Sequence, residues 1–262
     1  MLSTDLSGKN ALVAGSTQGI GLASAQALAA LGANCILIAR NEASLKAAVQ
    51  TLATDAGQQH SYVVADYSMP EQVRTAVSTL VASVNIHILV NNSGGPAAGP
   101  ASTATTEAFL QAFNQHLICN HIVTGLVLPA MKAAQYGRVI NIISTSVKIP
   151  LKGLGVSNTI RGAVASWAKT MANEVASFGI TVNNVLPGAT ATGRLSSIIE
   201  NKSAKSGQEK EEVTGEMLAE IPAGRFGAPE EIASVVAFLA TPAAAYVNGT
   251  SIPVDGGRTG SI

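Results

Sequence analysis

Short apolar runs bounded by turn residues alternate with longer stretches whose apolar residues recur every three or four positions, from one end of the chain to the other. Asn10-Ala11-Leu12-Val13-Ala14 opens the series and stops at Gly15. Between Ile20 and Leu31, the apolar positions Ile20, Ala23, Ala27, Leu28 and Leu31 fall at helical spacing. Further strand-like runs are Cys35–Ala39, Ser61–Ala65, Ile86–Val90, Arg138–Ile143, Ile180–Val185 and Ser251–Val254. Asn41 stands where it can cap the helix after the second run. Helical stretches are predicted over about Thr105–Ala134, Val156–Phe178 and Pro229–Ala240. Near-continuous apolar strands, rather than alternating ones, are what a parallel sheet covered on both faces requires. The helices supply the crossovers that parallel pairing needs. The pattern therefore predicts an α/β fold: one doubly wound, Rossmann-like parallel sheet of about seven strands in a single domain over residues 1–262.

Gly15-Ser16-Thr17-Gln18-Gly19-Ile20-Gly21 joins the first strand to the first helix. Gly15 can make the tight turn, Gly19 can let a phosphate approach the backbone, and Gly21 can let the helix lie close to the sheet. The helix N-terminus then offers free N–H groups and partial positive charge to an anion. A plain strand-to-helix turn would also use glycines, but this position in an alternating β/α chain points to a dinucleotide. The end of strand two decides which one. A carboxylate there would hold both adenosine ribose hydroxyls and repel a 2′-phosphate, whereas this chain has Ala39 and Arg40. An Arg fork suits a phosphate, so NADP(H) is expected; a surface pairing of Arg40 with Glu42 is the competing reading.

The Gly-x-x-x-Gly-x-Gly spacing resembles that of the short-chain dehydrogenase/reductase family, and most of the chain fits. The resemblance extends to Asp66, Asn91-Asn92-Ser93-Gly94, Asn141-Ile142-Ile143-Ser144, Pro187-Gly188 with Thr192, and Asn248-Gly249-Thr250 through Asp255-Gly256-Gly257. Within the family the chain is most similar to the β-ketoacyl-[acyl-carrier-protein] reductase type. The resemblance implies Asp66 and Tyr67 at the adenine, Asn92, Ser93 and Gly94 along the ribose, and Pro187, Gly188, Thr190 and Thr192 at the nicotinamide amide. Ala14 stands where the family usually shows Thr, which removes a bond that braces the turn.

The family's reductases polarise a carbonyl with Ser and Tyr hydroxyls, protonate the alkoxide from the Tyr, and tune that Tyr with a Lys one helical turn later. Ser144 fits the Ser position. Ser157 stands at the Tyr position, Arg161 at the Lys position, and His116 at that of a supporting Asn. The four tyrosines lie at 62, 67, 136 and 246, so none falls between Ser144 and Pro187. Ser157 can donate a hydrogen bond but is a poor proton source. Arg161 stays charged and can grip ribose hydroxyls or stabilise an alkoxide. Ser157 and Arg161, at i and i+4, share a helix face. His116 is the nearby group whose ordinary pKa lies near neutrality, so it is expected either to carry protons and shape the pH–rate profile or simply to fill a helix face. Lys148 and Lys152 are expected to be solvated loop charges, and Lys169 lies too far along the helix to replace the missing Lys. The alternative to an enzyme is a cofactor-binding protein that acts as sensor or partner subunit.

Composition narrows the partners. Of 262 residues, 12% are charged and 47% hydrophobic, against about 25% charged in an average domain. Sixteen basic and sixteen acidic residues cancel, which leaves no excess charge to attract nucleic acid or an anionic membrane. Cys35 and Cys119 lack metal-ligand spacing and read as buried thiols, and no metal is expected. No export signal or membrane span is legible, so a cytoplasmic protein acting on a small carbonyl or alcohol is expected. Charges cluster between Asn201 and Glu212, either as a solvated helix face or as part of a substrate lid over about 191–224. The apolar faces of the Val156–Phe178 helix, together with the resemblance, imply a homo-oligomer, a dimer of dimers.

Overall fold

The computed structural model describes residues 3–261. Strands β1 (Asn10–Ala14), β2 (Asn34–Ala39), β3 (Ser61–Val64), β4 (Ile88–Asn91), β5 (Gly137–Ile142), β6 (Ile180–Pro187) and β7 (Ser251–Val254) form one seven-stranded parallel sheet of order β3-β2-β1-β4-β5-β6-β7. The helices between them are α1 (Gly19–Ala30), α2 (Glu42–Val49), α3 (Pro70–Val81), α4 (Thr106–Phe113), α5 (Cys119–Ala133), α6 (Gly155–Val175), α7 (Gly193–Ser206), α8 (Lys210–Ala219) and α9 (Pro229–Ala240).

The continuous apolar strands have the expected cause. In β1, Ala11 and Val13 pack with α1, α2 and α9, while Leu12 and Ala14 pack with α3, α5 and α6 on the other face. In the central strands β4 and β5 every residue is buried whichever way it points, so no polar alternation survives there. Asn41 caps α2, its Oδ1 accepting from the Ser44 N–H at 2.8 Å. Strand order reverses between β1 and β4, and the carboxyl ends of strands flanking such a switch point frame the crevice where ligands bind in this class of sheet.

The stretch expected as one helix from about 105 to 134 is continuous but uneven. Residues Asn114–Ile118 form a π-helical turn between α4 and α5, an insertion that rotates side chains out of α-helical register. His116 sits in it. The strands pair at matching polar positions as well: Asn91 lies beside Asn141, and Asn141 beside Asn184. Their amides form a buried ladder, Asn91 Nδ2 to Asn141 Oδ1 at 2.9 Å, Asn141 Nδ2 to Asn184 Oδ1 at 3.0 Å, and Asn184 Nδ2 to Ser251 Oγ at 3.1 Å. This ladder stitches β4 through β7, from the last residue of β4 to the first of β7.

The clustered charges of 201–212 straddle α7 and α8 and join them, with Lys202–Glu216 at 2.8 Å and Lys210–Glu200 at 3.1 Å. Cys35 and Cys119 are free and buried. No helix among the described residues is long and apolar enough to cross a membrane.

Candidate active site

The glycine turn leaves the end of β1 with Gly15 and Gly19 both in the left-handed region, at φ +57° and +55°. A Cβ on Gly21 would lie 2.1 Å from the Gly15 carbonyl oxygen, and one on Gly15 would lie 2.8 Å from that of Asn92. Side chains at these two positions would collide with the turn and with Asn92. Asn92 braces the turn, its Nδ2 donating to the carbonyls of Ala14 at 3.3 Å and Gly15 at 3.2 Å. This amide supplies bracing that Ala14 cannot. The first turn of α1 has no acidic residue, and Gln18 makes no side-chain cap, so the helix N-terminus is left for an outside acceptor. The Ser16 hydroxyl is buried without a partner beside it. Thr17 and Ile20 complete the turn.

Farther along the crevice, Arg40, Asn41, Val64, Asp66, Met69 and Gln72 line a cleft of about 430 Å³. Arg40 is not engaged by Glu42, which instead pairs with Lys46 at 2.9 Å and accepts from the Tyr62 hydroxyl at 3.0 Å. The competing reading of Arg40 is thereby overturned. Asp66 accepts from the Ser68 N–H at 2.8 Å; that bond, with a smaller contribution from Arg40, holds its carboxyl below the usual range. Tyr67 is placed differently from the expectation. Its ring packs into the core and its hydroxyl is buried without a partner, so Asp66 rather than Tyr67 faces the cleft.

At the other end, the loop after β6 closes toward the glycine turn. A Cβ on Gly19 would lie 3.2 Å from Thr192 Cγ2. The loop is held by the Gly188 N–H donating to Val254 O at 3.0 Å, Thr190 Oγ1 to Gly188 O at 3.1 Å, and Thr192 Oγ1 to Thr190 O at 3.2 Å. A Cβ on Gly188 would meet Asp255 at 2.6 Å, which explains the glycine after Pro187. These features, a glycine turn that admits no side chain, an unpartnered hydroxyl and an uncapped helix N-terminus, together with the Arg-lined cleft, fit a dinucleotide phosphate chain.

Near the ends of β4 and β5 lie Ser144 and, through bonds to Ser93 and Ile142, His116 and Arg161. Ser144 Oγ accepts from the Ser146 N–H at 3.1 Å, capping a short 3-10 turn. Ser157 lies in the first turn of α6, partly buried. Arg161, one turn on, is 8% exposed and donates through Nη1 to Ile142 O at 2.8 Å. His116 is 1% exposed, with Nδ1 2.6 Å from Ser93 Oγ and Nε2 buried without a partner. Burial, reinforced by Arg161 and then Arg194, pushes its pKa down to about 2. The expectation of a His116 titrating near neutrality is corrected: the imidazole is neutral throughout the physiological range, because the protein replaces its water without supplying an acid. Gly94 follows Ser93 with open space beside it.

Arg194 was missed by sequence reasoning. It stands in the first turn of α7 and donates through Nη2 to Pro96 O at 2.5 Å, over Gly95. A cation at a helix N-terminus opposes the macrodipole, and that conflict was the available signal. Lys148 and Lys152 are exposed, and Lys169 lies against the turn at Gly249, away from Arg161. A second cleft, about 330 Å³, is lined by Thr145, Ile149, Leu151, Glu220, Arg258 and Thr259 beside the Ser144 turn.

Comparison with known proteins gives the family. A family model described as enoyl-(acyl carrier protein) reductase matches residues 14–259. A 3-oxoacyl-[acyl-carrier-protein] reductase of Vibrio cholerae is 35% identical over 254 residues, covering 97% of this chain and 98% of that one. The chain belongs to the short-chain dehydrogenase/reductase family. A tropinone reductase homolog of Arabidopsis thaliana is 33% identical, covering 97% of this chain and 76% of the relative. Among solved short-chain dehydrogenase/reductase structures, L-sorbose reductase from Gluconobacter frateurii, complexed with NADPH and L-sorbose, superposes with a TM-score of 0.92 at 29% identity, covering 99% of this chain and 100% of that one. An actinorhodin polyketide ketoreductase with NADPH gives 0.90 at 31% identity, with 100% of both chains covered.

Proposed function

We propose that this chain is an NADP(H)-dependent oxidoreductase that interconverts a carbonyl and a secondary alcohol, 3-oxoacyl reductase-like, with Ser157 and Arg161 in place of a tyrosine–lysine pair. The observation that carries the reading is the glycine turn itself, where any Cβ at position 21 would lie 2.1 Å from the Gly15 carbonyl oxygen, so that only glycine fits. Gly15 to Gly21 hold the pyrophosphate, Arg40 the 2′-phosphate, and Asp66 borders the adenine. Asn92, Ser93 and Gly94 run along the ribose, and Pro187, Gly188, Thr190 and Thr192 lie at the nicotinamide amide.

The bound cofactor supplies or takes up the hydride. The hydroxyls of Ser144 and Ser157 donate to the carbonyl oxygen and orient it. Arg161 stays charged at neutral pH even though burial lowers its pKa to about 10, and it stabilises negative charge as it develops on that oxygen. An alkyl hydroxyl does not release a proton at neutral pH, so the proton comes from water. His116, neutral and tied to Ser93, positions the loop after β4. Residues 191–224 form the substrate lid. The reading includes a homo-oligomer (a dimer of dimers) and a cytoplasmic location, the latter supported by two free buried thiols.

The test is a panel of carbonyl substrates with NADPH, comparing the natural chain with the Ser157→Tyr, Arg161→Lys double variant. The natural chain is expected to consume NADPH in a substrate-dependent manner. Turnover confined to the double variant would replace the enzymatic reading with that of a cofactor-binding sensor or partner subunit.

A further inference from the structure

Two guanidinium groups converge on the substrate end of the crevice, and no carboxylate answers either of them. Arg161 is buried on α6 and makes one hydrogen bond, from Nη1 to Ile142 O at 2.8 Å. Arg194, exposed, arrives from α7 over Gly95 and donates to the Pro96 carbonyl at 2.5 Å. Six ion pairs hold other lysines and arginines among the described residues, and neither of these two takes part in any of them. Each depresses the basicity of the neighbouring His116, and Arg194 depresses that of Arg161. His116, the other titratable group at the spot, is uncharged. The site is therefore net cationic, with Arg161 and His116 buried and Arg194 exposed to solvent.

A buried guanidinium without a counter-charge is costly unless an anion completes it. The phosphates of a dinucleotide are met elsewhere, at the glycine turn and at Arg40. The nicotinamide end of such a cofactor is neutral when reduced and cationic when oxidised, so it cannot be the missing anion. A carbonyl is neutral until the reaction begins. What remains is a fixed negative charge on the substrate.

We propose that the substrate is an oxo acid whose carboxylate is received by Arg194 beside Arg161, with its carbonyl facing Ser144 and Ser157. This inference rests on the oxidoreductase reading for the identity of the reacting carbonyl, but not for the anion site itself. Arg194 is the specificity-determining residue, since its fork can take both oxygens of a carboxylate while Arg161 is tethered to Ile142.

The experiment is calorimetric titration of the unliganded chain with acetoacetate and with its methyl ester, which share the carbonyl and differ in the charge. The acid is expected to bind about tenfold or more tightly than the ester, the worth of a charge-assisted pair. Arg194→Gln, which keeps much of the side-chain length and a donor for Pro96, is expected to erase that preference. Equal binding of acid and ester by the natural chain overturns the proposal. A preference that survives in Arg194→Gln overturns the assignment to Arg194. The titration is repeated with saturating NADPH and, separately, with inorganic phosphate as competitor. Displacement of the acid by NADPH would mean that the guanidiniums serve a cofactor phosphate, and would also overturn it. Persistence of the acid preference in a chain that fails to bind NADPH would sink the oxidoreductase reading alone, so the two failures are separable.

Discussion

At the scale of single residues, what could be read from the sequence was what depends on local chain geometry. The Gly15, Gly19 and Gly21 positions follow from a turn of fixed shape, and the structure gives each a steric reason. Gly21→Ala places a methyl 2.1 Å from a backbone oxygen and is expected to destabilise the fold by about 1–3 kcal/mol. It is also expected to abolish the thermal shift produced by NADPH, as differential scanning fluorimetry can measure. His116 was legible as a position and not as a titrating group, because its pKa is set by burial and by cations from α6 and α7. Its folded pKa, about 2, lies below the ordinary value of 6.5. Between those values the unfolded chain binds the extra proton, so stability is intact above pH 6.5 and falls as the pH drops, by up to about 1.4 kcal/mol per unit. Replacing His116 with Asn should flatten the fall of the melting temperature between pH 7 and pH 5. An unchanged slope would show that His116 protonates without cost.

Among the elements, hydrophobic period was enough to find the strands and the long helices, since apolar runs of four to six residues and repeats at three and four are local patterns. Two features escaped it. The π-helical turn at Asn114–Ile118 leaves no signature in apolar spacing, because one inserted residue within a thirty-residue stretch is hidden by the residues around it. The ladder Asn91–Asn141–Asn184–Ser251 depends on strand register, which joins positions 43 to 67 residues apart. Asn141 donates to one neighbour and accepts from the other. Asn141→Ala therefore strands a donor on Asn91 and an acceptor on Asn184, both buried, and is expected to cost about 2–4 kcal/mol. A denaturant midpoint that falls at unchanged slope would register this loss. An unshifted midpoint would mean that water repairs the ladder.

For the molecule as a whole, the doubly wound sheet follows from the alternation of elements, and the crevice follows from the reversal of strand order between β1 and β4. Charge is distributed along that crevice in a way that net charge conceals. The chain is formally neutral, yet Arg40 stands at one end and Arg161 with Arg194 at the other. The sequence disclosed Arg40 and Arg161, which lie at motif positions. It hid Arg194, which only tertiary folding brings over Gly95. Light scattering is expected to report a dimer or tetramer, and a monomer at all concentrations would contradict the assembly inferred from the apolar faces of α6. The account rests most heavily on the recognition of a phosphorylated dinucleotide, and paired titrations with NADPH and NADH measure that directly. The account predicts that NADPH binds about tenfold or more tightly, an advantage removed by Arg40→Ala. NADH binding as tightly as NADPH, or more tightly, would contradict it.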